Sequence, residues 1–156
     1  MKITFIVVGT LKASYLKDAV SDYFKRISRY IRVDVVEVRE ASGSAKTPKK
    51  DSLRDEAERI LRKLSPGDAV VVCADAGKEF TSKGLASFVE GHMTAGCKTL
   101  VFIVGGAYGL DPGVMEAADI ALSLSRMTLP HDLARLVLFE QVYRAFTIIK
   151  GEPYSH

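Results

Sequence analysis

The chain has 156 residues, of which 47% are hydrophobic and 26% charged, and its formal net charge is +3 at pH 7. This length predicts one domain, residues 1–156, and the composition excludes an intrinsically disordered protein because it can supply a hydrophobic core. The longest apolar stretches, such as 69–74 and 100–104, are far shorter than the ~20 residues that cross a bilayer, and the N-terminus runs directly into a strand-like segment. We therefore expect a cytoplasmic protein with no membrane partner.

The first part of the chain alternates strand and helix signals. Residues 3–8 are rich in β-branched side chains and end at Gly9, and apolar residues then recur at helical spacing over 15–27. The alternating pattern of 32–38 predicts a second strand, and the small and polar residues of 39–50 predict a loop.

The remainder of the chain continues this alternation. An amphipathic helix over 53–64 stops at Ser-Pro-Gly-Asp before a buried strand over 69–74, and Thr81 can cap a third helix that reaches about Ala95. The elements that follow are a strand over 99–104, a short helix from Pro112, a strand near 120–124 and a long helix from about 130 to 150. Because the strands are apolar throughout rather than alternating, they predict an α/β fold, a mostly parallel sheet with helices on both faces.

Charge is distributed unevenly along the chain. Residues 1–63 contain 15 Lys and Arg against 9 Asp and Glu, whereas 64–156 contain 7 against 10. Much of the excess lies in two predicted helical regions, comprising Lys17, Lys25, Arg26, Arg29 and Arg32, and then Lys46, Lys49, Lys50, Arg54, Arg59, Arg62 and Lys63. Such a surface suits a phosphate backbone. The alternative is a solvated helix face with i,i+4 pairs such as Glu58 with Arg62, and charge alone does not decide between them.

The cysteines and histidines predict no metal site. Cys73 and Cys97 lack CxxC or His-ligand spacing, and His92, His131 and His156 are scattered along the chain. We expect buried, reduced thiols.

Three predicted strands end in segments suited to ligand binding. In a parallel α/β sheet, ligands bind beyond the carboxyl ends of the strands, which here are followed by 73–78, 105–109 and 125–131. Gly105 and Gly106 remove the side chains that would hold a planar ligand away from the backbone. Their spacing is neither GxGxxG nor a P-loop, and a tight turn explains these glycines equally well. The other two segments also suit ordinary turns and helix starts.

Several sequence segments occur together in a specific order. They are MKITFIVVGT at 1–10, FIVGGAYGL at 102–110, LSLSRMTLPH at 122–131, EQVYRAF at 140–146 and GEPY at 151–154. Together they resemble the RlmH family of SPOUT-class RNA methyltransferases, and the resemblance covers essentially the whole chain. It implies methyl transfer from S-adenosyl-L-methionine to N3 of a pseudouridine in 23S rRNA of the assembled ribosome. It also implies a C-terminal deep trefoil knot and a homodimer.

The resemblance further implies the site residues. S-adenosylmethionine would be bound by Cys73, Gly105, Gly106, Leu124, Ser125, Arg126, Met127, Thr128 and Leu129. His131, Arg144 and Tyr154 match positions around the transferred methyl and the target base. Family members usually end in Tyr-His-Lys or Tyr-His-Arg, whereas this chain ends Tyr154-Ser155-His156. Either His156 substitutes for the family's histidine one residue later or that imidazole is dispensable.

The small domain and the resemblance predict a site shared between two subunits. One subunit would bind the cofactor while the other contributes RNA contacts. The last helix is apolar on more than one face, which predicts an interface that includes Leu136, Leu138 and Val142. The alternative is a central helix covered within one subunit.

Other interpretations stay open at this point. Arg144 could simply pair with Glu140 one helical turn earlier. The rival functions are the same fold methylating a different RNA, and a ribosome-binding factor that has lost catalysis.

Overall fold

The computed structural model describes residues 1–41 and 49–154. Within these ranges strands and helices alternate in the order β1 Lys2–Val8, α1 Ser14–Ile27, β2 Arg32–Val38, α2 Lys49–Leu61, β3 Ala69–Glu79, α3 Ser82–Thr94, β4 Thr99–Val104, α4 Pro112–Glu116, β5 Ile120–Ser123 and α5 His131–Ile149. The predicted elements are present with similar bounds, and Thr81 caps α3 by accepting a hydrogen bond from the Gly84 amide. Residues 42–48 of the predicted loop, with Lys46, lie outside the described residues.

The strands form one parallel sheet in the order β2-β1-β4-β3-β5. Phe5 and Val7 of β1 pack on one face with α1, α3 and α5, whereas Ile6 and Val8 pack on the other with α2 and α4. Since successive side chains of a strand point to opposite faces, a strand covered on both faces must be apolar throughout. The predicted α/β class is therefore confirmed.

Helix α5 lies in the core of the chain. Leu138 and Val142 are 0% exposed, and Phe139 stacks on Phe5 with ring centroids 4.0 Å apart. The predicted dimer contact through Leu138 and Val142 is therefore wrong, because these side chains are already covered within one chain, and Leu136 is half-buried.

None of the helices in the described ranges has the length and apolarity of a membrane span.

Strand β3 is longer than the predicted 69–74 because it continues alongside β5. Its register shifts between Cys73 and Lys78, both of which pair with Leu122. A Cβ atom on Gly77 would lie 2.6 Å from the backbone carbon of Leu122, so this close approach of two backbones requires glycine. The trefoil knot stays a prediction from the resemblance.

The described parts of the two basic regions belong to different layers of the fold. Helices α1 and α2 lie on opposite faces of the sheet, and Arg32 belongs to β2. Arg62 pairs with Glu58 at 3.1 Å, as the alternative interpretation predicted. Similar i,i+4 pairs join Arg26 to Asp22 on α1 and Arg59 to Asp55 on α2.

Candidate active site

A cavity of about 410 Å³ lies beyond the carboxyl ends of β4 and β5 and beside residues 73–75 of β3. Its wall combines the three segments that the sequence analysis selected. Of the nine residues expected to bind a cofactor, the ones that line this cavity are Cys73, Gly105, Gly106, Leu124, Ser125, Met127, Thr128 and Leu129. The volume is within the range typical of small-ligand sites.

A larger cavity, of about 640 Å³, lies at the opposite edge of the sheet. Its wall includes Lys2, Lys63 and Lys98, and Lys2 forms an ion pair with Asp34 at 3.1 Å. Ligands of parallel α/β sheets bind at the carboxyl edge rather than the amino edge. We therefore take the smaller cavity as the candidate site despite its volume.

The glycine loop is closed by contacts within itself. Gly109, with φ +83°, donates its amide to the Gly106 carbonyl at 3.1 Å, and the two residues form an antiparallel bridge. A Cβ atom on Gly105 would lie 2.6 Å from the Gly109 carbonyl oxygen, and one on Gly106 would lie 3.1 Å from Val8 Cγ1. Glycine is therefore required at 105 and 106 because the loop closes on itself and packs against β1. This is the tight turn that the sequence offered as the alternative to the close approach of a ligand.

The segment after β5 turns sharply along the cavity wall. The Ser125 hydroxyl accepts a hydrogen bond from the Met127 amide at 3.0 Å, and this local turn fixes the backbone between them. Met127 lines the cavity but is 76% exposed. Arg126 is the exception among the expected cofactor residues, because its side chain points outward to Glu79, with Nε 2.7 Å from Oε1.

The start of α5 brings a titratable side chain to the cavity. His131 lines the wall, and its Nε2 lies 3.1 Å from Asp132 Oδ1. One turn later Arg135, 3% exposed, donates from Nη2 to the Val8 and Gly9 carbonyl oxygens at 3.0 and 3.1 Å. These bonds tie the first turns of α5 to the carboxyl end of β1, so they hold His131 in place.

Arg144 and Tyr154 form a second cluster away from the cavity. Arg144 donates from Nε and Nη2 to Glu140 Oε1 at 2.9 and 2.6 Å, and its Cζ lies 4.7 Å from the centroid of the Tyr154 ring. Because a helix rises about 1.5 Å per residue, the Cα atoms of His131 and Arg144 are about 20 Å apart along α5. One subunit therefore does not bring Arg144 and Tyr154 to the cavity. His156 lies outside the described residues.

Some residues of the cavity and of the cluster around Arg144 and Tyr154 could not be predicted from the sequence. Met115 and Ala134 line the cavity from helices, where periodicity marks them only as apolar. Tyr23 of α1 contacts Tyr154 across a sequence separation of 131 residues, and no local pattern could have indicated that contact.

Comparisons with known proteins show which family the chain belongs to. Residues 1–156 match the family described as predicted SPOUT methyltransferase. Proteins named ribosomal RNA large subunit methyltransferase H from Ruminiclostridium cellulolyticum, Bacillus pumilus and Streptococcus pyogenes are 45%, 43% and 42% identical to this chain, each alignment covering 99% of both chains.

A crystal structure of a probable methyltransferase from Bordetella pertussis has the same fold. It matches with a TM-score of 0.56 over 92% of this chain and 95% of that one, at 13% identity. The relatives found by sequence define the family more narrowly than this structure, which shows only the fold. They agree with the resemblance of the five sequence segments. The chain therefore belongs to the SPOUT methyltransferase family, among its RlmH members.

Proposed function

We propose that this protein is a homodimeric enzyme that transfers a methyl group from S-adenosylmethionine to N3 of a pseudouridine in 23S rRNA of the assembled ribosome. The observation that carries the proposal is the convergence of three strand-end segments in one cavity of a chain with this family membership. The names of the relatives support large-subunit ribosomal RNA as the substrate class. The resemblance of the sequence segments supports the cofactor and the target nucleotide.

The residues of the cavity suit S-adenosylmethionine. The glycine loop exposes backbone amides and carbonyls that can read the edge of an adenine, while Leu124 and Leu129 offer apolar surfaces for its faces. Burial raises the pKa of the Cys73 thiol to about 12, so this side chain is a neutral, small, apolar part of the wall. When bound, the cofactor supplies a methyl group activated by its sulfonium.

The protein must also align the target base and accept the proton that leaves its N3. We propose that His131, which lines the cavity and has its Nε2 3.1 Å from Asp132 Oδ1, accepts that proton. Burial raises the pKa of Tyr154, so its phenol stays protonated near neutral pH and serves as a hydrogen-bond donor rather than a base. Arg144 would stabilise the negative charge that develops on the base.

The separation of the two clusters supports a site shared between subunits. Within one chain His131 and Arg144 are about 20 Å apart along α5, which is too far for both to meet one base. We propose that the cavity of one subunit works with Arg144 and Tyr154 of the partner subunit.

Mass spectrometry of 23S rRNA from a strain that lacks the gene tests this function. We expect one methyl group to disappear from one pseudouridine, and expression of the wild-type chain to restore it. Loss of a methyl group from another RNA would replace the proposed substrate. A full set of methyl groups in the deletion strain would favour a ribosome-binding factor without catalysis.

A further inference from the structure

Tyr154 is held by α1, an element to which the proposed reaction assigns no role. The hydroxyl oxygens of Tyr23 and Tyr154 are 3.3 Å apart. Tyr143 packs its edge against Tyr154, with ring centroids 4.7 Å apart, and lies 5.8 Å from the Tyr23 ring. Tyr30, just after α1, donates a hydrogen bond to the Glu152 carboxylate. Residues 152–154, here called the tail, are therefore anchored to the start of the chain.

The number of available protons fixes the direction of the hydrogen bond between the two phenols. Tyr154 has one hydroxyl proton and donates it to Glu140 Oε1 at 3.3 Å. Tyr23 must then be the donor in its contact with Tyr154. Glu140 Oε1 also accepts both hydrogen bonds from Arg144, so one continuous chain of hydrogen bonds runs from Tyr23 to Arg144. Groups in such a chain orient one another.

We propose that Tyr23 is a positioning residue for methyl transfer. Its hydroxyl group fixes the Tyr154 hydroxyl and, through Glu140, the Arg144 guanidinium, in the orientation in which they meet the target base. The proposal rests on the proposed function, since only there do Tyr154 and Arg144 touch the base. Arg26 borders the same surface, with its Cζ 5.8 Å from the Tyr23 ring centroid, and it pairs there with Asp22.

The first test is Tyr23→Phe, which keeps the ring and removes only the hydroxyl group. We expect the single-turnover rate of ribosome methylation to fall about tenfold, because the base-contacting groups lose their alignment. The KM for ribosomes and the affinity for S-adenosylmethionine should stay within about twofold of wild type. The matched control is Tyr15→Phe on the same helix, whose side chain is 72% exposed. A wild-type rate for Tyr23→Phe would overturn the proposal.

A double-mutant cycle tests whether Tyr23 acts through Tyr154. If it does, the Tyr23→Phe/Tyr154→Phe protein should be no slower than Tyr154→Phe alone. Rate losses that multiply would show that the two hydroxyl groups act independently, and the positioning role would then be wrong.

A titration gives a readout that does not depend on activity. Burial is the largest cause of the raised pKa of Tyr154, and the contact with Tyr23 also contributes to the shift. Because Tyr23→Phe removes a hydrogen-bond partner of the Tyr154 oxygen, carbon-13 NMR of labelled tyrosine should show a pKa for Tyr154 that differs from the value in wild type and in Tyr15→Phe. An unchanged pKa would overturn the proposal even if the wild-type protein fails to methylate ribosomes. That failure, by contrast, would remove the proposed function itself.

Discussion

At the residue scale, Gly105 allows a direct test of the cofactor cavity. In Gly105→Ala the new Cβ atom would lie 2.6 Å from the Gly109 carbonyl oxygen, so the loop must shift. We expect the affinity for S-adenosylmethionine, measured by calorimetry, to fall about tenfold or more. The control is Gly91→Ala in α3, where a Cβ atom meets nothing within 4 Å. Wild-type affinity in Gly105→Ala would place the cofactor elsewhere.

Arg144 tests the opposite side of the reaction. In Arg144→Ala we expect methyl transfer to fall about 100-fold, because a guanidinium that stabilises charge developing on the base acts on turnover. Cofactor affinity should be unchanged, since in the proposed site Arg144 meets the target base rather than S-adenosylmethionine. Single-turnover assays on unmethylated ribosomes, with calorimetry in parallel, measure both quantities.

The comparison variant for Arg144 is Arg62→Ala, which removes an exposed arginine that also pairs with a glutamate four residues earlier. If the two variants methylate at similar rates, Arg144 is an ordinary helix-surface residue and its proposed catalytic role is wrong.

Residue identity predicted the cavity better than it predicted the cluster around Arg144 and Tyr154. Gly105 and Leu124 belong to short motifs at strand ends, where sheet geometry alone indicates a ligand. The contact between Tyr23 and Tyr154 joins two distant segments, and neither phenol lies in a pattern that suggests the other. The expected cofactor contact of Arg126 stays a prediction, because a strand-end position does not specify the direction of a long side chain, and this one contacts Glu79.

At the element scale, the contact between β3 and β5 depends on Gly77. A methyl group there would lie 2.6–2.7 Å from the backbone of Leu122, Ala121 and Ser123, and backbone cannot move as a flexible side chain does. We expect Gly77→Ala to lower the free energy of unfolding by about 2 kcal/mol or more. Urea denaturation measures this change, with Gly91→Ala as the neutral or slightly stabilised reference. Equal stability of the two variants would mean that β3 and β5 separate freely.

The same region shows where prediction of elements reached its limit. Residues 69–74 are apolar and were recognised as a strand, whereas 75–79 include Asp75, Gly77 and Lys78, which locally favour a turn. The extension exists because β5 offers backbone partners to Lys78 and Glu79. Such pairing is a tertiary effect that no window of sequence contains.

At the scale of the whole molecule, mixing two impaired variants and assaying them at limiting S-adenosylmethionine tests the shared site. Gly105→Ala damages the cavity, and Arg144→Ala removes the arginine that we propose meets the target base. In a heterodimer, the cavity of the Arg144→Ala subunit would meet the intact Arg144 of the other subunit. After unfolding and refolding an equal mixture, we expect about a quarter of wild-type activity, since half the dimers would each have one complete site.

The refolded mixture is compared with each variant refolded alone. Activity no higher than that of the separate variants would show that each site is built within one chain. A monomeric mass by light scattering at micromolar concentration would rule out the shared site as well.

The dimer contact is the prediction from the sequence that the structure contradicts most directly. Helix α5 is apolar on several faces, a pattern that a subunit interface and a central core position produce alike. The structure shows the second for Leu138 and Val142, because α1 and α3 cover the helix. Periodicity reports how much of a helix is buried but not which molecule covers it.

The order of strands in the sheet also bears on how the chain folds as it is synthesised. β1 and β2 can pair after the first 38 residues, but the other neighbour of β1 is β4, and the pairing of Lys2 with Thr99 closes a loop of about 100 residues. Translation at about 5–20 residues per second would leave one edge of this very apolar strand unpaired for several seconds. One edge of β1 therefore stays unpaired until β4 has been synthesised. We expect a shortage of chaperones to lower the yield of folded protein, without any effect on the stability of the folded state.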